Sequence, residues 1–323
     1  MILFEKYCLR FVLEFLLMVN LTYPPPKEFL NEEDRDGYVV SAKMKSVWAV
    51  ELDLVQELLR VCEKNNLRIY AISGTLLGAM RHKGFIPWDD DMDFIMFRED
   101  YKRLCEIAPQ EFKHPYFFQD SESGKELVFG CAKLRNSDTA AIEKNRCFSY
   151  NQGISIDIFP LDNIANAKFS RFIQEYKISI YRTLTWGFAY FSTRYFPAEN
   201  HWLRIPKSLI HGAFGGIFSL FQAFFFKKML KIAQKYNSTN TVMCQVPVFT
   251  SMKSNFYRED FSQVQMQPFE YIEIPVMSGF DRVLRATYGE NWRIPAKEPN
   301  CHGTMFYDVD NSYSKYLNHQ IKL

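Results

Sequence analysis

The stretch SGTLLGAMRHKGFIPWDDDMDFIMF occupies residues 73–97 and joins a tight turn at its start to a dense acidic group near its end. The acidic group consists of Asp89, Asp90, Asp91 and Asp93. Carboxylates so close together repel one another, so folding them costs free energy unless a cation is bound. The apolar residues around them predict a strand over residues 92–97. Because side chains alternate along a strand, Asp91, just before it, and Asp93 point to the same side.

A divalent metal ion would explain carboxylates inside an apolar strand, because burying them without a partner is costly. We therefore predict that Asp91 and Asp93 hold a cation, with Asp89 in the preceding loop as a further ligand or an orienting group. Carboxylate and phosphate oxygens suit Mg²⁺ best and also Mn²⁺. A solvated acidic loop without metal is the alternative, and the apolar neighbours disfavour it.

The turn at Ser73 and Gly74 lies where a predicted strand, residues 67–72, passes into a short predicted helix. Backbone N–H groups at the start of a helix point outward and bind anions, above all phosphate. We expect Ser73, Gly74 and Thr75 to cradle a phosphate group that faces the metal. Arg81 lies between this turn and the acidic group and could neutralise phosphate charge, with a solvated helix end as the alternative.

Hydrophobic periodicity predicts the elements that surround this stretch. Helices are predicted over residues 47–65, 99–108 and 279–288, the last from a capping pattern. Strands are predicted over residues 116–119, 127–134 and 154–158. In the last strand Ile154, Ile156 and Ile158 share one face, which leaves Asp157 on the other.

Two regions differ from the mixed α/β pattern. Residues 1–40 are predicted to contain an apolar N-terminal helix and a linker, and charges within the helix argue against a signal peptide and a spanning helix. Residues 166–240 are predicted to form a helical, aromatic-rich insertion, in which the run Ser208 to Phe226 carries no charge. Such a helix must be buried in something. It either packs against the core or meets the membrane or a lipid-linked acceptor.

The composition is that of a globular protein, with 47% hydrophobic and 24% charged residues among 323. A formal net charge of +2 gives no reason to expect a nucleic-acid partner. The chain contains seven cysteines, an odd number, and no CxxC pair. This pattern favours free thiols in the cytoplasm over a disulfide framework or a zinc site. A peripheral position on the inner face of the cell membrane is compatible with this pattern.

Six motifs stand along the chain in this order: Gly74–Gly78, Arg81–Trp88, Asp89–Asp93, Gly153–Asp162, Phe269-Glu270 and Tyr288–Trp292. Together they resemble the signature of the LicD family. That family includes bacterial phosphocholine transferases, and fukutin and fukutin-related protein are its eukaryotic relatives. The resemblance runs from about Val47 to Pro295, and residues 1–40 and 168–236 are outside it.

The resemblance implies an α/β (α+β) fold with a nucleotidyltransferase (DNA polymerase beta-like) core and a mixed sheet. This catalytic core would span residues 41–165 and be completed by residues 241–323, after the insertion at 166–240. In such cores a third acidic residue comes from a separate strand. Asp157 fits that place, as a metal ligand and as the base that accepts the proton of an attacking hydroxyl. Asp162 is expected to be only a turn or cap residue.

Lys133 and Arg135 lie at the end of a predicted strand and could clamp the departing phosphate, with a plain salt bridge as an equal alternative. The resemblance implies transfer of a phospho-alcohol, such as phosphocholine, from a CDP-linked alcohol donor to a glycan hydroxyl. The acceptor would be a cell-surface glycan or lipid-linked glycan: a lipopolysaccharide, teichoic acid or capsule precursor. Two alternatives stay open, a metal-dependent glycosyltransferase that uses Asp91 and Asp93, and a catalytically inactive membrane-associated scaffold.

Overall fold

The computed structural model describes residues 20–120, 130–143, 146–147, 150–192, 194–195, 201–249, 255–295 and 305–317. The predicted N-terminal helix falls on residues 1–19 and lies outside these ranges. Within them the chain forms six α-helices and fifteen strands. Helices and a mixed sheet alternate along the chain, which confirms the predicted mixed α/β class.

The helices are α1 (Ala42–Lys64), α2 (Ser73–Arg81), α3 (Arg98–Glu111), α4 (Lys168–Ser192), α5 (His201–Ala233) and α6 (Phe280–Tyr288). Helix α1 begins before the predicted residue 47, because the Ser41 hydroxyl caps it by accepting the Met44 N–H at 3.2 Å. Its first turn is rich in lysine, so apolar spacing did not reveal it. The cap was the usable signal.

The strands up to residue 147 are β1 (Glu33–Arg35), β2 (Tyr38–Val40), β3 (Tyr70–Ala71), β4 (Asp93–Phe97), β5 (Tyr116–Gln119), β6 (Ala132–Asn136), β7 (Ala140–Glu143) and β8 (Arg146–Cys147). The later strands are β9 (Ser155–Ile164), β10 (Arg194–Tyr195), β11 (Met243–Gln245), β12 (Asn255–Tyr257), β13 (Val264–Phe269), β14 (Ile272–Met277) and β15 (Met305–Asp308). The prediction for residues 116–119 is confirmed at its bounds, whereas β9 is twice as long as its predicted counterpart.

Seven of these strands form one mixed sheet around β9. One edge of β9 pairs in parallel with β4, which pairs antiparallel with β3. The other edge pairs antiparallel with β6 and then with β11, and these pair in turn with β5 and β12. The chain that follows the helical insertion therefore returns to the same sheet as the acidic stretch.

One face of β9 is an apolar layer. Ile154, Ile156 and Ile158 are buried, as their shared face predicted, and α1 packs across β9 and β6. Burying each side chain of this size contributes about 1.5–3 kcal/mol. This packing fixes which way the strand faces, and it leaves Asp157 on the opposite side from the isoleucines.

The prediction that Asp162 is only a turn or cap residue is wrong. Strand β9 continues to Ile164, so Asp162 lies within the strand and is fully buried. Its carboxylate accepts hydrogen bonds from Arg98 at 2.9 and 2.6 Å, and Asn237 donates another at 2.6 Å. The carboxylate thus joins the start of α3, the sheet and the segment after α5 through a buried charge that is fully paired.

The segment predicted as a linker before residue 41 contains a hairpin. Strands β1 and β2 pair antiparallel around Asp36 and Gly37, whose φ angles are +54° and +79°. Asp-Gly is the sequence signal for such a turn, and the linker interpretation overlooked it. Arg35 in β1 donates to both carboxylate oxygens of Glu270 at 2.5 and 2.8 Å. The hairpin is therefore attached to the core.

Between residues 166 and 240, the described stretches consist mainly of helices α4 and α5, and α4 packs along α5. Phe188 stacks on Phe221 and Phe225 at centroid distances of 5.3 and 5.5 Å. Arg182 attaches the pair to the core by donating to the carbonyl oxygens of Pro247 and Phe249 at 3.2 and 2.7 Å. In the described stretches, no helix has both the length and the apolar character needed to cross a membrane.

Candidate active site

Three neighbouring strands bring together three of the predicted site residues. Asp93 in β4 lies opposite Asp157 in β9, and Asp157 lies opposite Lys133 in β6. Residues opposite each other on adjacent strands point to the same face, and the strands are about 4.8 Å apart. The register therefore places two carboxylates and one ammonium group side by side.

Asp157 forms an ion pair with Lys133 through its Oδ1 atom. Burial lowers the pKa of Lys133, but attraction to Asp157 and Cys131 and the hydrogen bond to Asp157 together exceed that effect, and the net pKa is raised. Lys133 therefore remains protonated in the neutral pH range. The salt bridge, which was the alternative role predicted for Lys133, is therefore present. It also holds a positive charge next to the acidic group.

The aspartates of the site repel one another. Burial raises the pKa of Asp93 well above its ordinary value, and repulsion from Asp91, Asp157 and Asp89 raises it further. These four carboxylates therefore lie within electrostatic range of one another. A cation bound among them would relieve the repulsion, which is the physical basis for the predicted metal site.

Hydrogen bonds hold the acidic stretch in place. The Thr75 hydroxyl accepts the N–H of Asp93 at 2.8 Å, and the Trp48 indole donates to the carbonyl oxygen of Asp89 at 3.0 Å. The Tyr307 hydroxyl in β15 donates to the Asp90 carboxylate at 2.9 Å. The buried Thr75 side chain thus positions Asp93. The predicted contact between phosphate and the backbone N–H of Thr75 stays a prediction.

Gly74 leaves room for the Asp89 carboxylate in its observed position. A Cβ atom at residue 74 would lie 2.3 Å from Oδ2 of Asp89, which is shorter than any real contact of that kind. The preceding Ser73 has a φ angle of +52°, and α2 begins there without a side-chain cap. The Asp89 carboxylate therefore lies against the first turn of α2, where the helix dipole favours negative charge. The predicted phosphate cradle and a predicted metal ligand are thus in contact.

Glu270 holds the loop between α2 and β4. Its Oε1 atom accepts the Phe85 N–H at 2.9 Å, and its own N–H donates to the Lys83 carbonyl at 2.8 Å. A Cβ atom at Gly84 would lie 2.1 Å from Oε1, so only glycine leaves room for this carboxylate. Through its bonds to Arg35, the same carboxylate connects the loop to the β1–β2 hairpin.

The other predicted phosphate-binding side chains bond to protein groups. Arg135 is buried and donates to Gln119 Oε1 at 3.0 Å and to the Gly153 carbonyl at 3.1 Å. Arg81 is half-buried, its pKa is lowered by burial, and it donates to the Trp292 carbonyl at 3.2 Å. Their contacts with phosphate stay predictions.

Sequence reasoning missed two residues near the acidic group. Glu51 in α1 is 1% exposed, and burial, with repulsion from Asp91 next, raises its pKa well above the ordinary value. Its Oε2 atom is buried and, in the part of the chain that the structure describes, has no hydrogen-bond partner. Tyr288 ends α6, and burial and then repulsion from Asp89 raise its pKa. A signal for Glu51 existed, since it stands among apolar residues on the buried side of α1.

The donor set fits a hard divalent cation. Asp89, Asp91, Asp93 and Asp157 supply carboxylate oxygens, the ligands that Mg²⁺ and Mn²⁺ prefer. Among the described residues, no three Asp, Glu, His or Cys side chains already converge as a metal-binding group. In this arrangement Lys133 balances the charge of Asp157. Metal binding at these aspartates stays a prediction.

The chain is similar in sequence to known proteins. A family model described as "LicD/FKTN/FKRP, nucleotidyltransferase domain" matches residues 66–208. The lipopolysaccharide cholinephosphotransferase LicD of Haemophilus influenzae is 30% identical over 247 residues, which cover 74% of this chain and 87% of that protein. An uncharacterized protein of Rickettsia prowazekii is 40% identical over 82 residues, covering 25% of this chain and 29% of its own length. One from Rickettsia typhi is 44% identical over 57 residues, 18% of each chain.

Proposed function

The chain belongs to the LicD family, and on that basis we propose that it transfers a phospho-alcohol, such as phosphocholine, from a CDP-linked donor to a hydroxyl of a cell-surface glycan. The observation that carries the proposal is the strand register that sets Asp93, Asp157 and Lys133 side by side. We assign the core to the nucleotidyltransferase fold. The parallel pairing of β4 with β9, each with one aspartate at matching positions, supports that assignment.

The proposed reaction is a displacement at phosphorus. The oxygen of the acceptor hydroxyl forms a bond to the phosphorus that carries the alcohol, and the bond from that phosphorus to the bridging oxygen of the diphosphate breaks. CMP leaves with the electron pair of that bond. The proton of the hydroxyl goes to the Asp157 carboxylate, which faces the same side of the sheet as Asp93.

The charged residues of the site match this reaction. Asp91, Asp93 and Asp157, with Asp89, would hold a Mg²⁺ or Mn²⁺ ion, which lowers the negative charge on phosphate oxygens. Lys133 remains protonated and would stabilise charge that develops on the leaving phosphate. Donor phosphates would also meet backbone N–H groups at the start of α2, from Ser73 to Thr75.

The acceptor class follows from the Haemophilus relative, which is named for lipopolysaccharide. We propose that this chain also acts on a glycan or lipid-linked glycan, with the CDP-linked donor in the cytoplasm. The described cysteines Cys62, Cys105, Cys131 and Cys244 are free thiols, which suits a reducing compartment.

A donor screen tests the proposed activity. The purified protein is incubated with a lipopolysaccharide or teichoic acid acceptor and CDP-choline, CDP-ethanolamine, CDP-ribitol or CDP-glycerol, and release of CMP is measured. We expect CMP release from one of these donors only when acceptor is present, and its loss in EDTA with recovery on adding Mg²⁺. Consumption of a nucleotide sugar instead would assign a glycosyltransferase. If no donor is turned over, the protein would be assigned as a catalytically inactive scaffold.

A further inference from the structure

The outward sides of the helical pair α4–α5 are apolar. The exposed apolar side chains of α4 are Phe169, Phe172, Tyr176, Ile180, Leu184 and Trp186. From residue 214 onward, where the side chains of α5 are described, the exposed apolar ones are Phe214, Ile217, Leu220, Phe221 and Phe224. Phe169 is 77% exposed and Leu220 is 72% exposed. We call these eleven residues the outward face. Soluble monomers rarely group so many exposed apolar side chains on two packed helices.

The outward face is organised by helical spacing. At 100° per residue, the exposed apolar residues occupy about half of the circumference of α4 and about a third of that of α5. The opposite, buried sides include the polar residues Gln174, Thr185 and Gln222. Gln174 uses its buried amide to bond the Ala165 N–H at 3.1 Å and the Ile232 carbonyl at 3.2 Å. The buried sides also include apolar residues such as Ile178 and Met229, so phenyl rings on the outside are not explained by a lack of apolar packing inside.

Charge is also segregated onto this pair. Helices α4 and α5 contain nine Lys and Arg residues and one acidic residue, Glu175, so their formal charge is +8. The whole chain has +2, so all other residues together carry −6. On α5 the exposed side that carries Phe214 to Phe224 continues with Lys227, Lys228 and Lys231, which are also exposed.

We propose that the outward face docks the protein onto an anionic lipid bilayer. The apolar side chains would enter the boundary between headgroups and acyl chains, and the lysines would contact anionic headgroups. The helices would lie on the membrane, since neither has the length and apolar character to cross it. This surface is separate from the chemistry proposed above and does not depend on it.

A second copy of the chain fits the face less well than a bilayer. In a two-fold contact, Lys227, Lys228 and Lys231 would meet either their own copies or the apolar side chains of the partner. The first arrangement opposes like charges, and the second buries ammonium groups in an apolar contact. An anionic bilayer provides negative charge next to an apolar layer. These two parts complement the lysines and the apolar side chains that lie next to each other along α5.

Vesicle flotation tests the proposal with the full chain. We expect the protein to float with phosphatidylcholine vesicles that contain phosphatidylglycerol at low salt, and much less with phosphatidylcholine alone. Each lysine near an anionic surface contributes about fivefold to partitioning. Replacing Lys227, Lys228 and Lys231 together by Gln should therefore weaken binding to the anionic vesicles about 100-fold. Leu220→Glu should weaken binding to both kinds of vesicle.

A matched control and a second readout separate docking from other effects. Met266→Glu changes an exposed apolar residue, 49% exposed, outside the helical pair and should leave flotation unchanged. Asp91→Asn should float like the unchanged protein, so a failure of the proposed chemistry is scored separately. Circular dichroism of Leu220→Glu checks that the helices remain. Absence of binding to anionic vesicles, or equal binding by Leu220→Glu, overturns the proposal. A dimer that Leu220→Glu dissociates in sedimentation, without vesicle binding, would assign the face to a second copy.

Discussion

The sheet around the acidic site and the helical pair α4–α5 place polar and apolar groups in opposite ways. Near the site the carboxylates of Glu51, Asp53 and Asp162 are no more than 1% exposed. In the helical pair, the phenyl ring of Phe169 and the side chain of Leu220 are more than 70% exposed. A typical domain does neither, because buried charge and exposed apolar surface both cost free energy.

The difference between the two regions lies in how each unfavourable placement is offset. Asp162 is offset internally by Arg98, and Asp53 accepts bonds from the Tyr116 hydroxyl and the Tyr23 N–H, both at 2.8 Å. Glu51 and Asp93 instead face further carboxylates. The outward face of the helices is exposed to solvent, with Phe169 at 77% and Leu220 at 72%. Buried charges with an internal partner thus connect distant segments of the fold, whereas we propose external partners, a cation and a bilayer, for the placements that lack one.

The largest effect is expected at the site itself. Asp157→Asn should lower kcat for transfer by about 10²–10⁴-fold, because the proposed proton acceptor is lost. The shape of the side chain is kept, so the chain should still fold. CMP release measures the change, with Glu106→Gln, an exposed carboxylate on α3, as the matched control. Unchanged turnover in Asp157→Asn would break the link between this charge and function.

The next effect concerns a buried charge that has a partner. Asp162→Ala should lower the free energy of unfolding by about 3–5 kcal/mol, because it leaves the buried Arg98 guanidinium without its carboxylate. Urea denaturation measures it. Glu106→Gln serves again as control, since it removes an exposed pair with Arg103 and should cost less than about 1 kcal/mol. Equal costs for the two variants would mean that burial of the charge is unimportant.

Two phenylalanines of α5, one buried and one exposed, test the assignment of the outward face. Phe226 is 4% exposed and packs near Gly130 and Val248, whereas Phe224 is 52% exposed. Phe226→Ala should cost about 3–5 kcal/mol. Phe224→Ala should change stability by no more than about 0.5 kcal/mol. The free energy of unfolding of each variant, measured without lipid, decides the matter. A large loss in Phe224→Ala would show that the outward face is covered within the chain.

The smallest effect is a pH dependence in the loop before the acidic stretch. Burial, and repulsion from Arg81 next, lower the pKa of His82 from its ordinary 6.5. The unfolded chain therefore binds a proton on His82 more readily, and the stability linked to the neutral ring is lost as pH falls below about 6.5. His82→Gln removes this contribution. The stability of the unchanged protein should fall more steeply on acidification than that of the variant; parallel curves would contradict the assignment.

Much of the site could be predicted because its residues are close in sequence or follow strand alternation. Asp91 and Asp93 stand beside an apolar strand, and the isoleucines of β9 fixed the side of Asp157. The family resemblance, now confirmed, joined these two segments before any pairing was known. Their roles in metal binding and proton transfer stay predictions.

The remaining features depend on contacts between distant segments, which local patterns do not record. The predicted strand ended at Ile158, so Asp162 was assigned outside it, and its partner Arg98 is 64 residues away along the chain. Tyr307 reaches Asp90 across 217 residues. The sequence showed that Glu51 is a charge on an apolar helix face, but it did not show that Glu51 lies near the aspartates of the site. Register and long-range packing decide these pairs.

Strand β9 also sets an order of assembly during synthesis. Its partners β4 and β6 are made before it, but β11 begins about 80 residues after β9 ends, a stretch that takes a ribosome roughly 4–16 s. Helices α4 and α5 emerge in that interval and can form from local contacts. Until residue 245 is made, the end of β9 has an open edge of the kind that pairs with other chains. A nascent chain halted between residues 164 and 243 should therefore recruit chaperones, and one extended past residue 257 should no longer need them.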